Sequence, residues 1–328
     1  MLVALFGLSI FIFLIARVLP GDPARVALGP KAPDWAVQNL RNQMHLNDPI
    51  PVQYVYWLRD ALSGNLGQSL VTFRNVTTDI LEFLPATIEL VAFATIIDIV
   101  LALLLGVLSG RYANTWIDNA VRGFSYIGVA VPSFVFAIAL LLIFGYYGNI
   151  LPTGGRLSPS ITMPNSVTGL MTIDALIAGR LNVFGDALSH LIMPSLALAA
   201  GNIAQEARIT RSGMVENLRK DYVASAVSHG IPERTITFQY LLKPSIIPTV
   251  SIMGLDFAAL IANAFLVETI FGWPGFSRYG ATAILRKDLN AIVAVVMVTG
   301  IIFAIVNILI DIIVGYLDPR IRMMQKAE

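Results

Sequence analysis

Residues 221–250 read DYVASAVSHGIPERTITFQYLLKPSIIPTV, a polar, proline-bearing interruption in a chain that is otherwise apolar enough to dissolve in lipid. Tyr222, Val223, Ala226 and Val227 fall on one helical stripe, and Lys220, Asp221, Ser225 and Ser228 face away from it. The pattern predicts a short amphipathic helix lying beside a membrane rather than crossing it. Gly230 stands where the residue after a helix end adopts a left-handed backbone, and Pro232 where a first helical residue opens the next helix, with Glu233 in its first turn. The segment therefore reads as helix, tight corner, helix. The second helix runs through Tyr240 towards Pro248 and on into an apolar crossing. The small residues Ala224, Ser225 and Ala226 leave the backbone near the surface, where another protein can pack against it. Taken alone, such a corner also fits an ordinary loop joining two membrane helices.

Composition explains why the interruption stands out. The chain has 328 residues, 56% of them hydrophobic and 13% charged, and its mean hydropathy is +0.73, outside the balance of a soluble domain. A net charge of +1 gives no basic field for nucleic acid, and zero cysteines exclude disulfides and thiolate chemistry. Six apolar stretches approach the roughly 20 residues that span a hydrocarbon core. They are Leu2–Leu19, Ile88–Ser109, Gly123–Tyr147, Leu191–Ala204, Ile246–Val267 and Ala291–Gly315. The fourth holds Pro194, which predicts a kink or tilt. The expectation is an all-α, polytopic membrane protein with six transmembrane helices. It divides into a first helix (1–19), an extracytoplasmic segment (20–87) and a core (88–328) whose polar loop is 206–245.

Orientation follows from the density of Lys and Arg. Segments 111–122, 206–243 and 316–328 hold 11 of them in 63 residues, whereas 20–87, 148–189 and 269–290 hold 10 in 132. The denser side is expected to be cytoplasmic, together with both termini and the quoted stretch. The first apolar segment has no basic n-region and no small-x-small cleavage site, so it is expected to remain as a helix.

Ala224-Ser225-Ala226, then Gly230, then a proline-ended apolar run resembles the EAA loop of ABC-importer permeases, in which a short cytoplasmic helix docks on an ATPase. Ala224 stands where that triplet usually has Glu, and His229 where Lys is common. Further pieces, in order, resemble the dipeptide/oligopeptide branch: Leu19-Pro20-Gly21-Asp22-Pro23, Tyr56-Trp57-Leu58, Gly64-Asn65-Leu66-Gly67-Gln68-Ser69, Leu84-Pro85-Ala86-Thr87-Ile88-Glu89-Leu90 and Val131-Pro132-Ser133-Phe134. Then come Leu151-Pro152-Thr153-Gly154-Gly155, His190-Leu191-Ile192-Met193-Pro194, Arg208 to Met214, Val267 to Gly275, Asn307 to Asp311 and Asp318 to Arg322. The resemblance implies the ABC-importer permease fold in a bacterial inner membrane. It also implies a second homologous permease, two cytoplasmic ATPases that hold ATP and Mg, an extracytoplasmic solute-binding protein, and a surround of membrane lipid. By the same resemblance, ATPase coupling falls to Asp221, Tyr222, Ala224, Ser225, Ala226, Gly230, Pro232, Glu233 and Arg234.

The chain offers no chemistry of its own. No G-x-x-x-x-G-K-[ST] occurs, so energy must come from a partner or a gradient, and His45, His190 and His229 share no metal-ligand spacing. His190 reads as a helix-entry residue. Asp98 and Asp256 lie inside expected crossings, where an acid costs about 2.5–3.5 kcal/mol and is a functional candidate. Neither stands in a paired-Asp protease motif. A proton relay in a gradient-driven carrier is the alternative, and an interior-facing acid bonded to a neighbouring helix or to water is the simplest reading. With the break at Pro132, Ser133 and Phe134, where proline frees a carbonyl, these acids are expected to line the translocation pathway.

Overall fold

The computed structural model describes residues 2–18, 22–29 and 31–317. The Leu19–Gly21 part of the first quoted motif, the Asp318–Arg322 motif and the basic C-terminal tail lie outside the described residues. Among the described residues the chain is helical throughout, with one isolated bridge, Gln68 to Asn75, and no strand. The helices are α1 (Leu2–Val18), α2 (Pro23–Leu28), α3 (Asp34–Gln43), α4 (Ile50–Leu62), α5 (Val76–Arg111), α6 (Trp116–Ala130) and α7 (Ser133–Leu140), the last running into a π-helical turn, Leu141–Tyr147. Then follow α8 (Met171–Ile177), α9 (Leu181–Leu218), α10 (Asp221–Ser228), α11 (Glu233–Thr235), a second π-helical turn (Ile236–Leu242), α12 (Lys243–Ile270), α13 (Phe276–Arg286) and α14 (Leu289–Leu317).

Packing divides the chain into two compact units. One comprises Met1–Pro85 and Gly275–Ala304. Its interior holds Val76, Ile80, Phe276, Tyr279, Ala283, Ala291 and Ala294, and a second cluster forms around Ile12 and Val293. Asp288 is the polar fastener of this unit. Its Oδ1 caps α14 by accepting from Ala291 N at 3.2 Å, and its Oδ2 accepts from Ser69 Oγ and Leu70 N, both at 2.6 Å. The loop around the Gly64–Ser69 motif is thereby tied to a helix start some 220 residues away in the chain.

The other unit comprises Ala86–Pro274 and Ile305–Glu328. α9 is its axis, packed against α12, α6, α7 and α8. Small residues make the close approaches possible: a Cβ at Gly128 would sit 2.5 Å from that of Ala204, and one at Gly106 2.6 Å from that of Thr210.

The crossings differ from expectation in three places. Among the described residues three helices, Val76–Arg111, Leu181–Leu218 and Leu289–Tyr316, are long and apolar enough to cross a membrane, and up to five spans result if each bent pair counts as one. The expected third crossing is not straight. α6 and α7 meet at 109° because Val131 and Pro132 are extended, and Pro132 cannot continue the helix before it. The expected fourth crossing is much longer than Leu191–Ala204, and α9 runs unbroken through Pro194. Residues 206–218, read as the start of a polar loop, continue that helix. Of their polar side chains, Thr210, Arg211 and Asn217 bond to neighbouring helices, whereas Arg208, Ser212 and Glu216 are exposed.

Candidate functional site

The quoted stretch folds as a projecting helix and corner. α10 ends in a Schellman motif: Ile231 N donates to Ala226 O at 3.2 Å and Gly230 N to Val227 O at 3.0 Å, with Gly230 at φ +72°. A Cβ on Gly230 would meet nothing within 4 Å of the chain, so the corner points into open space. Val223 and Ala226 are buried with Met214, Ile236 and Leu241, and Ile231 packs beside them. Burial contributes about 1.5–3 kcal/mol for a side chain such as Val223 and about 0.8 kcal/mol for the single carbon of Ala226, and this packing holds an eight-residue helix that would not persist alone.

The apolar stripe is narrower than expected. Tyr222 and Val227 are exposed, as are Asp221, Ala224, Ser225, Pro232, Glu233 and Arg234. Tyr222 has a polar duty instead: its hydroxyl donates to Asn217 Oδ1 at 2.8 Å and to Tyr240 O at 3.3 Å. Pro232 also moves by one place. Its ψ of 139° is extended, so it caps α11 from outside and the helix opens at Glu233.

Two ion pairs tie neighbouring helices together, one of them at the corner. Arg111 Nη2 lies 2.5 Å from Glu233 Oε1, an exposed contact. Asp118, fully buried, receives Arg211 in a two-pronged pair, Nε to Oδ1 at 2.5 Å and Nη2 to Oδ2 at 2.6 Å. It also accepts from Ser109 Oγ at 2.6 Å and Asn114 N at 2.8 Å. The ends of α5, α6 and α9 thus meet on a single carboxylate. Sequence reading missed Asp118, although Arg211 stood within a quoted motif. The signal was an acid placed on the buried face of a short amphipathic helix.

Asp98 and Asp256 are brought together by a residue that had been counted in the loop. Glu206 of α9, completely buried, lies against both Asp98 of α5 and Asp256 of α12. Among the described residues no cluster of His, Asp or Glu side chains is placed to hold a metal ion. Pro132 and Phe134 are exposed at the break between α6 and α7, and Ser133 is half-buried.

Several other quoted pieces converge within the same unit. Trp273 Nε1 donates to Ala86 O at 3.0 Å, Thr87 Oγ1 donates to Glu268, and Gly155 N donates to Phe271 O at 2.8 Å. His190 lies inside α9, not at its entry, and its Nδ1 donates to Gly155 O at 3.0 Å. Arg156 pairs with Glu89 at 2.6 Å, both nearly buried, and Glu89 in turn accepts from Thr172 N and Oγ1 at 2.7 Å each. Asp174 ties down the loop before α8. Burial works against its charge, but hydrogen bonds from Thr168 N and Oγ1, Gly169 N and Val167 N prevail and hold the carboxyl below its usual range.

Among the described residues, the all-helical chain thus combines three membrane-length helices with a polar helical corner. Residues 102–323 match the family described as binding-protein-dependent transport system inner membrane component, and residues 1–91 match that family's N-terminal membrane component. The chain belongs to this family. It is a membrane permease subunit of an ABC importer and not an enzyme; ATP hydrolysis belongs to partner ATPases. It is 36% identical over 96% of its length to the probable D,D-dipeptide transport system permease protein DdpB of Escherichia coli (strain K12), covering 93% of that protein. It is 36% identical over 97% of its length to the dipeptide transport system permease protein DppB of Alkalihalophilus pseudofirmus, covering 95% of it. The oligopeptide transport system permease protein AppB of Bacillus subtilis (strain 168) is 30% identical over 97% of this chain and 95% of its own.

Proposed function

We propose that the chain forms half of the translocation pore of a peptide importer, paired with a second homologous permease and coupled to two cytoplasmic ATPases that hold ATP and Mg. The observation that carries the coupling role is the corner at Gly230: a short helix anchored on its inner side by Val223 and Ala226, presenting Asp221, Tyr222, Ala224, Ser225, Gly230, Pro232, Glu233 and Arg234 outwards. A rigid, small-residue projection of this kind suits a groove on a partner. The chain then has six crossings, 1–19 as the first and the remainder in 88–328, with the bent pair α6/α7 and the bent α12 each counting as one. Both termini are cytoplasmic. Residues 20–87 dock the extracytoplasmic binding protein. Pro132, Ser133 and Phe134, with Asp98 and Asp256, border the path of the peptide. Substrate choice rests largely with the binding protein. A reporter-fusion map tests the arrangement, since a fusion at Gly230 is expected to report the cytosol. A signal from outside the cell would overturn both the topology and the coupling role.

A further inference from the structure

Two of the quoted motifs have no part in the pore or the coupling corner. Tyr56 and Trp57 of the one, and Asn65 to Ser69 of the other, instead border a cavity of about 530 Å³ inside the unit formed by residues 1–85 and 275–304. That volume lies in the range of small-molecule sites, about 300–1,000 Å³. The chemistry of its wall is mixed in a specific way. Arg17 supplies a cation that forms no ion pair among the described residues and rests over the Phe13 ring, 5.1 Å from its centroid. Asp60 supplies a carboxylate, likewise without an ion pair among the described residues.

Aromatic side chains share the wall. Tyr56 is stacked on His45 with centroids 4.2 Å apart, and Trp57 is braced by Phe13 at 5.7 Å and Tyr54 at 6.0 Å. The last wall group is Gln53. It is buried, and its Nε2 donates to Leu46 O at 3.2 Å and Asp48 O at 2.7 Å, which fixes the amide so that Oε1 is left buried without a partner. An unpaired buried acceptor is costly and is normally satisfied.

We propose that this cavity binds a short zwitterionic peptide. The C-terminal carboxylate pairs with Arg17, the N-terminal ammonium with Asp60, an amide N–H donates to Gln53 Oε1, and a side chain packs on Tyr56 and Trp57. The three polar groups match the three functions that every dipeptide carries, whereas a free amino acid has no amide to offer Gln53. The choice of a peptide over other zwitterions rests on the proposed transport of peptides; the site itself rests on the wall chemistry.

The test is equilibrium dialysis of the full chain in lipid nanodiscs with labelled alanyl-phenylalanine, its N-acetyl and C-amide derivatives, and free phenylalanine. The wild-type chain is expected to bind the dipeptide saturably and to lose about tenfold in affinity for each derivative, one charge-assisted contact apiece. In Asp60→Asn the N-acetyl derivative should bind as well as the free peptide, and in Arg17→Gln the amide should. Because these two variants report on opposite ends of the ligand, a folding defect in one leaves the other decisive. No saturable binding by the wild type, unaltered discrimination in both variants, or tighter binding of phenylalanine than of the dipeptide would overturn the proposal. Uptake by cells carrying the complete transporter is scored separately. Cells that import no peptide, with a chain that still binds it, would contradict the transport reading and leave the site standing.

Discussion

Replacing Gly230 separates two effects that a single bulky substitution confounds. The backbone there lies at φ +72°, where an L residue with a Cβ suffers about 1–2 kcal/mol of strain. No atom of the chain lies within 4 Å of the Cβ that would be added, so there is no internal clash to add to it. Set against a fold stable by about 5–15 kcal/mol, that strain leaves the protein in the membrane. Gly230→Val carries both strain and bulk, and Gly230→Asn carries similar bulk with little strain, because Asn tolerates the left-handed region. The assay is threefold: abundance in the membrane fraction, ATPase subunits retained in mild detergent, and peptide uptake. Both variants are expected at normal abundance with uptake lost and ATPases weakly held, since the outward surface is where a partner would meet the added atoms. Full uptake in Gly230→Asn would assign the effect to backbone strain alone. Wild-type uptake in Gly230→Val, with ATPases still bound, would refute the reasoning altogether. Ala224→Glu, at an exposed position, should be tolerated, and charge reversal at Glu233 should weaken coupling less than Gly230→Val, because its exposed pair with Arg111 contributes about 0–1 kcal/mol.

Arg211→Gln leaves Asp118 buried without its partner and should destabilise by about 3–5 kcal/mol, seen as a lowered Tm in detergent; Arg211→Lys should not restore the wild-type Tm, because an ammonium cannot reproduce the two-pronged contact. The double variant Asp98→Asn, Asp256→Asn should remain assembled and still hydrolyse ATP through its ATPase partners; failure to assemble would show that these acids hold the helices together. Asp174 provides a pH test. Its folded-state pKa lies below the unfolded value, so the stability it adds is present above about 3.9 and lost as pH falls through the folded pKa. Amide-exchange protection of residues 158–180 should therefore hold at neutral pH and fade in strong acid, and Asp174→Asn should flatten that profile; an unchanged profile in the variant would assign the acid sensitivity to another group.

Much of this was legible in the sequence where one local rule settled the outcome. Gly230 and the corner follow from helix-end chemistry, and α1, α14 and the apolar part of α5 from long, predominantly apolar runs, although α5 begins 12 residues before its apolar run does. What escaped depended on partners distant in the chain. Glu206 looked like the first residue of a polar loop, but it turns inward to Asp98 and Asp256, so α9 continues past it. Tyr222 looked apolar by its place on the stripe, but its hydroxyl bonds to Asn217 and to the Tyr240 carbonyl. Pro132 reads from sequence as a break, and the extended backbone at Val131 and Pro132 turns α7 away from α6, but the size of that turn, 109°, has no signature in the residue types.

The central claim is that this chain moves its substrate only as part of an ATP-driven assembly. Uptake of labelled peptide by proteoliposomes that contain the purified complex tests it most directly, with the binding protein outside and ATP either enclosed or omitted. Accumulation is expected only with enclosed ATP, and none from vesicles holding the chain alone. Accumulation by the chain alone, without ATP and down an imposed ion gradient, would contradict the account and establish a gradient-driven carrier in its place.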